Sequence, residues 1–107
     1  MDENEIDVAE LARRREAGAN IVDVRRLDEY EAGHVPGALL VPLEELPSRQ
    51  DEIPSDGEVL VICKTGGRSR QATEFLRQQG VDAVNVAGGT SAWIEAGHPI
   101  VTGDRPN

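Results

Sequence analysis

The chain has 107 residues, the size of one ordinary domain, which predicts a single packed unit over 1–107 with no room for a second. Its 20 acidic residues outweigh 11 basic ones for a net charge of −9, a sign that repels nucleic-acid phosphates and anionic lipid headgroups, so neither nucleic acid nor membrane is an expected partner. No apolar run approaches the ~20 residues of a membrane span, the N-terminus Met1-Asp2-Glu3-Asn4-Glu5 is acidic where a secretory leader is basic, and the lone cysteine, Cys63, forms no internal disulfide. The expected setting is the cytoplasm, with the thiol reduced.

Asp7 is placed to cap a helix over Val8 to Ala17, in which Val8, Leu11 and Ala12 share a face and Gly18 supplies the stop. Ile21 to Val24 reads as a short strand carrying one acid, Asp23, and Arg26 to Ala32 as a polar helical turn or two closed by Gly33. After the turn residues His34-Val35-Pro36-Gly37 comes a second strand, Ala38 to Val41, ended by Pro42. Leu43 to Leu46 is a short helical candidate limited by Pro47, and Pro47 to Glu58 is the least regular connection.

Val59-Leu60-Val61-Ile62-Cys63 is continuously aliphatic, the pattern of a strand buried on both faces, and is expected at the centre of a parallel sheet. Ser69 precedes a helix over Arg70 to Gln79, where Ala72, Phe75 and Leu76 recur at helical spacing. Val81 to Val86 gives another strand, Gly88-Gly89 a turn, and Ser91 to Ala96 a last helix. Strands alternating with short helices predict a three-layer α/β/α fold around a central, mainly parallel sheet. Glu-Ala-Gly-His occurs twice, at Glu31 to His34 and Glu95 to His98, both times at a helix stop, and marks no repeat.

A cysteine on an aliphatic strand is by default an inert core residue. The residues directly after Cys63 argue otherwise. Cys63-Lys64-Thr65-Gly66-Gly67-Arg68-Ser69 puts the thiol at the carboxyl end of the strongest strand, where ligands bind in open α/β sheets, with a two-glycine loop and a helix start next in the chain. Such a loop can turn successive N–H groups inward as an anion nest, the helix dipole adds to it, and Lys64 and Arg68 bring positive charge into an acidic chain. The sulfur should ionise more easily there. Ionisation alone does little: lowering the pKa by about two units raises the thiolate fraction roughly 25-fold, but the accompanying fall in nucleophilicity leaves a net gain of about threefold. The larger benefit must come from a loop that holds negative charge on or near the sulfur.

The chain here resembles the rhodanese family of single-domain sulfurtransferases from about Ile6 to Pro99. The resemblance is carried by Asp23-Val24-Arg25 with Glu29-Tyr30, Gly33-His34-Val35-Pro36-Gly37-Ala38 and Pro42, Cys63 through Ser69, and Gly88-Gly89 with Trp93. It implies that Cys63 takes a sulfane sulfur from a donor, thiosulfate or a persulfide, becomes a persulfide itself, and passes the outer sulfur to a thiol, cyanide or protein acceptor, with no cofactor. In that picture the amides of residues 64–68 (Lys64, Thr65, Gly66, Gly67, Arg68) hold the terminal sulfur, and Lys64 and Arg68 attract the anionic donor. Arg26-Leu27 departs from the Glu-Pro pair common among relatives, and Thr65 stands where a second basic residue could follow Lys64.

Around this core, Asp23 within a strand needs a partner, and is assigned to a nearby arginine that helps orient the loop. Arg25 either lines the substrate mouth or forms an ion pair, Arg68 either meets substrate or braces the loop, and Ser69 is most simply a helix cap. His34 and His98 read as turn residues and Tyr30 and Trp93 as packing anchors, with no ligand pair at metal spacing. Two other functions compete. A cysteine phosphatase or arsenate reductase uses a Cys-x5-Arg loop, one residue longer than Cys63-x4-Arg68; a non-catalytic rhodanese-like binding module would not need the cysteine. The sulfurtransferase assignment requires position 63 to be accessible and ringed by main-chain hydrogens.

Overall fold

The computed structural model describes residues 4–107. Its five strands are β1 (Glu5–Ile6), β2 (Asn20–Asp23), β3 (Leu39–Leu40), β4 (Val59–Ile62) and β5 (Ala83–Val86). They form one sheet in the order β1-β5-β4-β2-β3, with every pairing parallel. The continuous aliphatic run therefore occupies the middle position, as its two-sided apolarity requires. Successive β4 side chains divide between the two faces: Leu60 and Ile62 enter one apolar cluster, Val59 and Val61 the other, which Cys63 joins just past the strand end.

Helices cover both faces. Helices α1 (Val8–Glu16), α2 (Leu27–Ala32) and α4 (Gly89–Glu95) send Leu11, Tyr30 and Trp93 into the first cluster. Helix α3 (Gly67–Gln78) sends Ala72 and Leu76 into the second, joined there by Leu46 from a 3-10 helix, Leu43–Ser48, that continues through Pro47. This is the expected α/β/α sandwich. Tyr30 and Trp93 are fully buried anchors, and His34 is buried too, stacked on Tyr30 at 3.6 Å with both ring nitrogens against backbone carbonyls. Among the described residues no helix is long and apolar enough to cross a membrane.

Several element bounds shift by a residue or two, and 3-10 turns at Leu43–Ser48 and Gln50–Glu52 occupy part of the expected irregular connection. Two further features differ from the sequence pattern. The edge strand β1 has no counterpart in it; the strand is two residues long and defined only by its register with β5, Glu5 opposite Asn85 and Ile6 opposite Val86. Helix α3 begins at Gly67, earlier than expected, because Gly66 adopts φ +115° and turns the chain from the end of β4 straight into the helix. Gly66 is thus the N-cap, and Ser69 lies inside the first turn.

Candidate active site

Strand β4 delivers Cys63 to the carboxyl edge of the sheet, and the loop folds back over it. The Gly66 amide donates to Cys63 Sγ at 3.1 Å and the Ser69 hydroxyl lies 3.3 Å from the same sulfur. Burial pushes the thiol up, but the Ser69 hydroxyl and the amides of Ser69, Gly66 and Thr65 pull it down further, leaving it below the ordinary thiol value. Of the expected amides of residues 64–68, Thr65 and Gly66 act on the bare sulfur, and the other donor residue is Ser69, outside that range. The expected accessibility is not met: Cys63 is 1% exposed and packs in the aliphatic cluster with Val24, Ala72 and Leu76. In the loop that follows, Lys64, Thr65 and Gly67 are exposed and Gly66 is buried. A cavity of about 400 Å³ lies elsewhere, lined by Arg14, Asn20, Asp56 and Glu58 beyond the opposite ends of β2 and β4, and has no contact with the thiol.

The loop's carbonyls are held from behind. The Thr90 amide and hydroxyl donate to the Cys63 carbonyl at 2.9 and 3.0 Å, and the Ser91 amide to the Lys64 carbonyl at 3.0 Å. Gly89, at φ +59°, permits this approach: a Cβ there would stand 2.5 Å from the Lys64 oxygen and 2.6 Å from the Cys63 oxygen. The Gly88-Gly89 pair is legible in the sequence as a turn. The hydroxyl of Thr90 is not, since nothing local in the sequence aims it.

Asp23, fully buried, meets Arg25. The guanidinium donates to both carboxylate oxygens at 2.9–3.1 Å, the Arg25 amide to Oδ1 at 3.0 Å, and the remaining Nη2 proton to the Gly33 carbonyl at 2.8 Å. The pair ties the end of β2 to the end of α2. Arg68 turns to Glu29 of α2, with two parallel hydrogen bonds of 2.7 and 2.9 Å. That contact holds the Glu29 carboxyl down at about 2 and raises the Arg68 guanidinium further. A guanidinium so committed does not offer the free fork that a phosphoryl cradle needs.

Residues 7–96 match the rhodanese-like domain family. The chain belongs to that family. This rhodanese-like domain is 42% identical to a sulfurtransferase of Allochromatium vinosum over 92% of this chain and 94% of that protein. It is 34% identical to a putative sulfurtransferase, YtwF, of Bacillus subtilis over 87% and 92% of the two chains. Its fold matches the crystal structure of a rhodanese-related protein of Thermoplasma volcanium with a TM-score of 0.87 and 36% identity, covering 92% of this chain and 97% of the other. The rhodanese-like domain thus has sulfurtransferase-named relatives along nearly their whole length, and the phosphatase alternative is not favoured.

Proposed function

We propose that this domain is a sulfurtransferase that carries a sulfane sulfur on Cys63. The observation that carries the proposal is the meeting of the Gly66 amide and the Ser69 hydroxyl on one sulfur at the carboxyl end of the central strand, where the Ser69 and Thr65 amides also favour the charged form. A thiolate favoured by that ring attacks the outer sulfur of the donor. The new S–S bond forms as the donor's own sulfur bond breaks, its electron pair leaving on sulfite when the donor is thiosulfate or on a thiolate when it is a persulfide. In the second half-reaction an external nucleophile bonds to the outer sulfur and the pair returns to Sγ. The single cysteine leaves the acceptor to come from outside, as a thiol, cyanide or a protein.

With Cys63 only 1% exposed, donor uptake requires its surroundings to give way, and exposed Lys64, next in the chain, is the cation that would draw an anionic donor there. Mass spectrometry after incubation with thiosulfate or a low-molecular-weight persulfide should show a gain of ~32 Da in the parent and none in Cys63→Ser. The serine oxygen keeps the same donors, so that variant should remain folded. A parent that never gains the mass with any sulfane donor refutes the proposal.

A further inference from the structure

Asn85 is 2% exposed in β5, in a position where a parallel sheet wants an aliphatic side chain. Register aligns it with Glu5 of β1 on one side and Val61 of β4 on the other. Aligned residues project to the same face, here the face covered by α3. The amide accordingly meets two groups. Its Nδ2 donates to Glu5 Oε2 at 2.9 Å, and its Oδ1 lies 2.5 Å from Ser69 Oγ. The Glu5 carboxylate can only accept, so the amide orientation is fixed: nitrogen towards Glu5, oxygen towards Ser69.

Ser69 has one hydroxyl proton and two acceptors in reach, Asn85 Oδ1 and Cys63 Sγ. We propose that Asn85 is a positioning residue that competes with Cys63 for this proton, so that the hydroxyl donates to the sulfur only while that sulfur bears negative charge. With a neutral sulfur, whether thiol or the inner atom of a persulfide, the proton rests on Asn85. With a thiolate it swings to Sγ and leaves Asn85 Oδ1 without a donor, a buried acceptor whose cost is set against the charge-assisted bond gained. The inference rests on the sulfur-transfer reading and deepens it. When the acceptor takes the outer sulfur and the electron pair returns to Sγ, the same proton arrives to meet it, and Asn85 sets how readily it comes.

The charged groups around this arrangement are Lys64 beside the thiol, Arg68 of α3 with Glu29 of α2, Asp23 with Arg25 at the end of β2, and Glu5 of β1 with Arg70 of α3. The test keeps them in place as far as possible. Asn85→Val removes the competing acceptor and suits the aliphatic row. Glu5→Gln, near the surface, frees the Asn85 amide to turn, since a glutamine can donate as well as accept. Each is made with Ser69 intact and with Ser69→Ala, and ionisation of the only cysteine is followed by ultraviolet thiolate absorbance and by alkylation rate against pH. With Ser69 intact, both substitutions should lower the midpoint by about half a unit to one unit, roughly three- to tenfold in thiolate fraction at fixed pH. With Ser69→Ala neither should move it. No shift, an upward shift, or a shift that persists in the Ser69→Ala background overturns the competition. The readout uses no sulfur donor, so a protein that shows the shifts yet never gains ~32 Da has lost the sulfur-transfer reading and not the proton competition.

Discussion

Gly89→Ala tests the clamp behind the loop. The residue sits at φ +59°, where an L side chain costs about 1–2 kcal/mol on conformational grounds alone. Its Cβ would also stand 2.5–2.6 Å from the backbone oxygens of Lys64 and Cys63, so the loop must withdraw by about 0.8–0.9 Å to reach the 3.4 Å of ordinary contact. Backbone held by three hydrogen bonds does not yield as a flexible side chain does. The matching control is Gly18→Ala, at φ +92° with nothing within 4 Å, which feels the conformational cost without the collision. Thermal denaturation of the two variants separates the contributions. For a domain of this size 1 kcal/mol moves Tm by roughly 4–8 °C, so a cost of about 1–2 kcal/mol should lower the control by roughly 4–16 °C and Gly89→Ala by at least twice as far. The thiol should move as well: a displaced loop takes the Thr65 and Gly66 amides away from Sγ, and the ionisation midpoint of Cys63 should rise towards the ordinary thiol value. A Gly89→Ala protein as stable as the control, with Cys63 titrating as in the parent, would refute the clamp.

The site carries three further expected outcomes. Lys64→Ala should slow sulfur uptake from thiosulfate by several-fold while leaving delivery from the loaded protein nearly unchanged, as measured by single-turnover mass spectrometry of each half-reaction; equal effects on both remove the role given to Lys64. Arg25→Leu strands the buried Asp23 carboxylate and should cost about 3–5 kcal/mol in chemical denaturation, much of it recovered by adding Asp23→Asn; independent, additive losses contradict the pairing. Glu29, held at about 2 in the folded chain against an ordinary 4.5, binds its proton less readily folded than unfolded. Its contact with Arg68 should therefore stabilise fully above pH about 4.5 and fade as pH falls from there towards 2. Arg68→Ala should return the Glu29 carboxyl to its ordinary range in an NMR titration, and an unchanged Glu29 midpoint would show that Arg68 is not the cause.

The fold is legible where burial leaves a pattern. Val59 to Cys63 announces the central strand because a strand covered on both faces has no polar side to show, and Asp23 announces a buried partner because an acid inside a strand needs one. The same signal stands at Asn85, an amide within the aliphatic run Val81 to Val86, although the sequence does not say what the amide meets. Strand β1 carries no pattern of its own in two residues. The Arg68–Glu29 contact joins positions 39 apart, and no local feature of either residue predicts it. Ser69 reads as a cap for a definite reason: a serine ahead of an aliphatic helical repeat is the usual signal, whereas here the positive φ of Gly66 starts the helix early and leaves the hydroxyl facing the sulfur. The burial of Cys63 follows the default of its aliphatic run, and it is the glycine loop after it that argues, wrongly, for an open thiol.

The contacts made by Thr90 and Ser91 reach further than anchoring. A peptide group is rigid and planar, with its oxygen and its hydrogen on opposite sides. Drawing the Lys64 oxygen back onto the Ser91 nitrogen therefore swings the hydrogen of the same plane, which belongs to Thr65, forward to the thiol. The start of α4 works as a handle on the far side of a lever: through the Cys63 and Lys64 carbonyls it bears on the thiol from behind, and small changes in how that helix seats would retune the sulfur without altering any residue from 63 to 69.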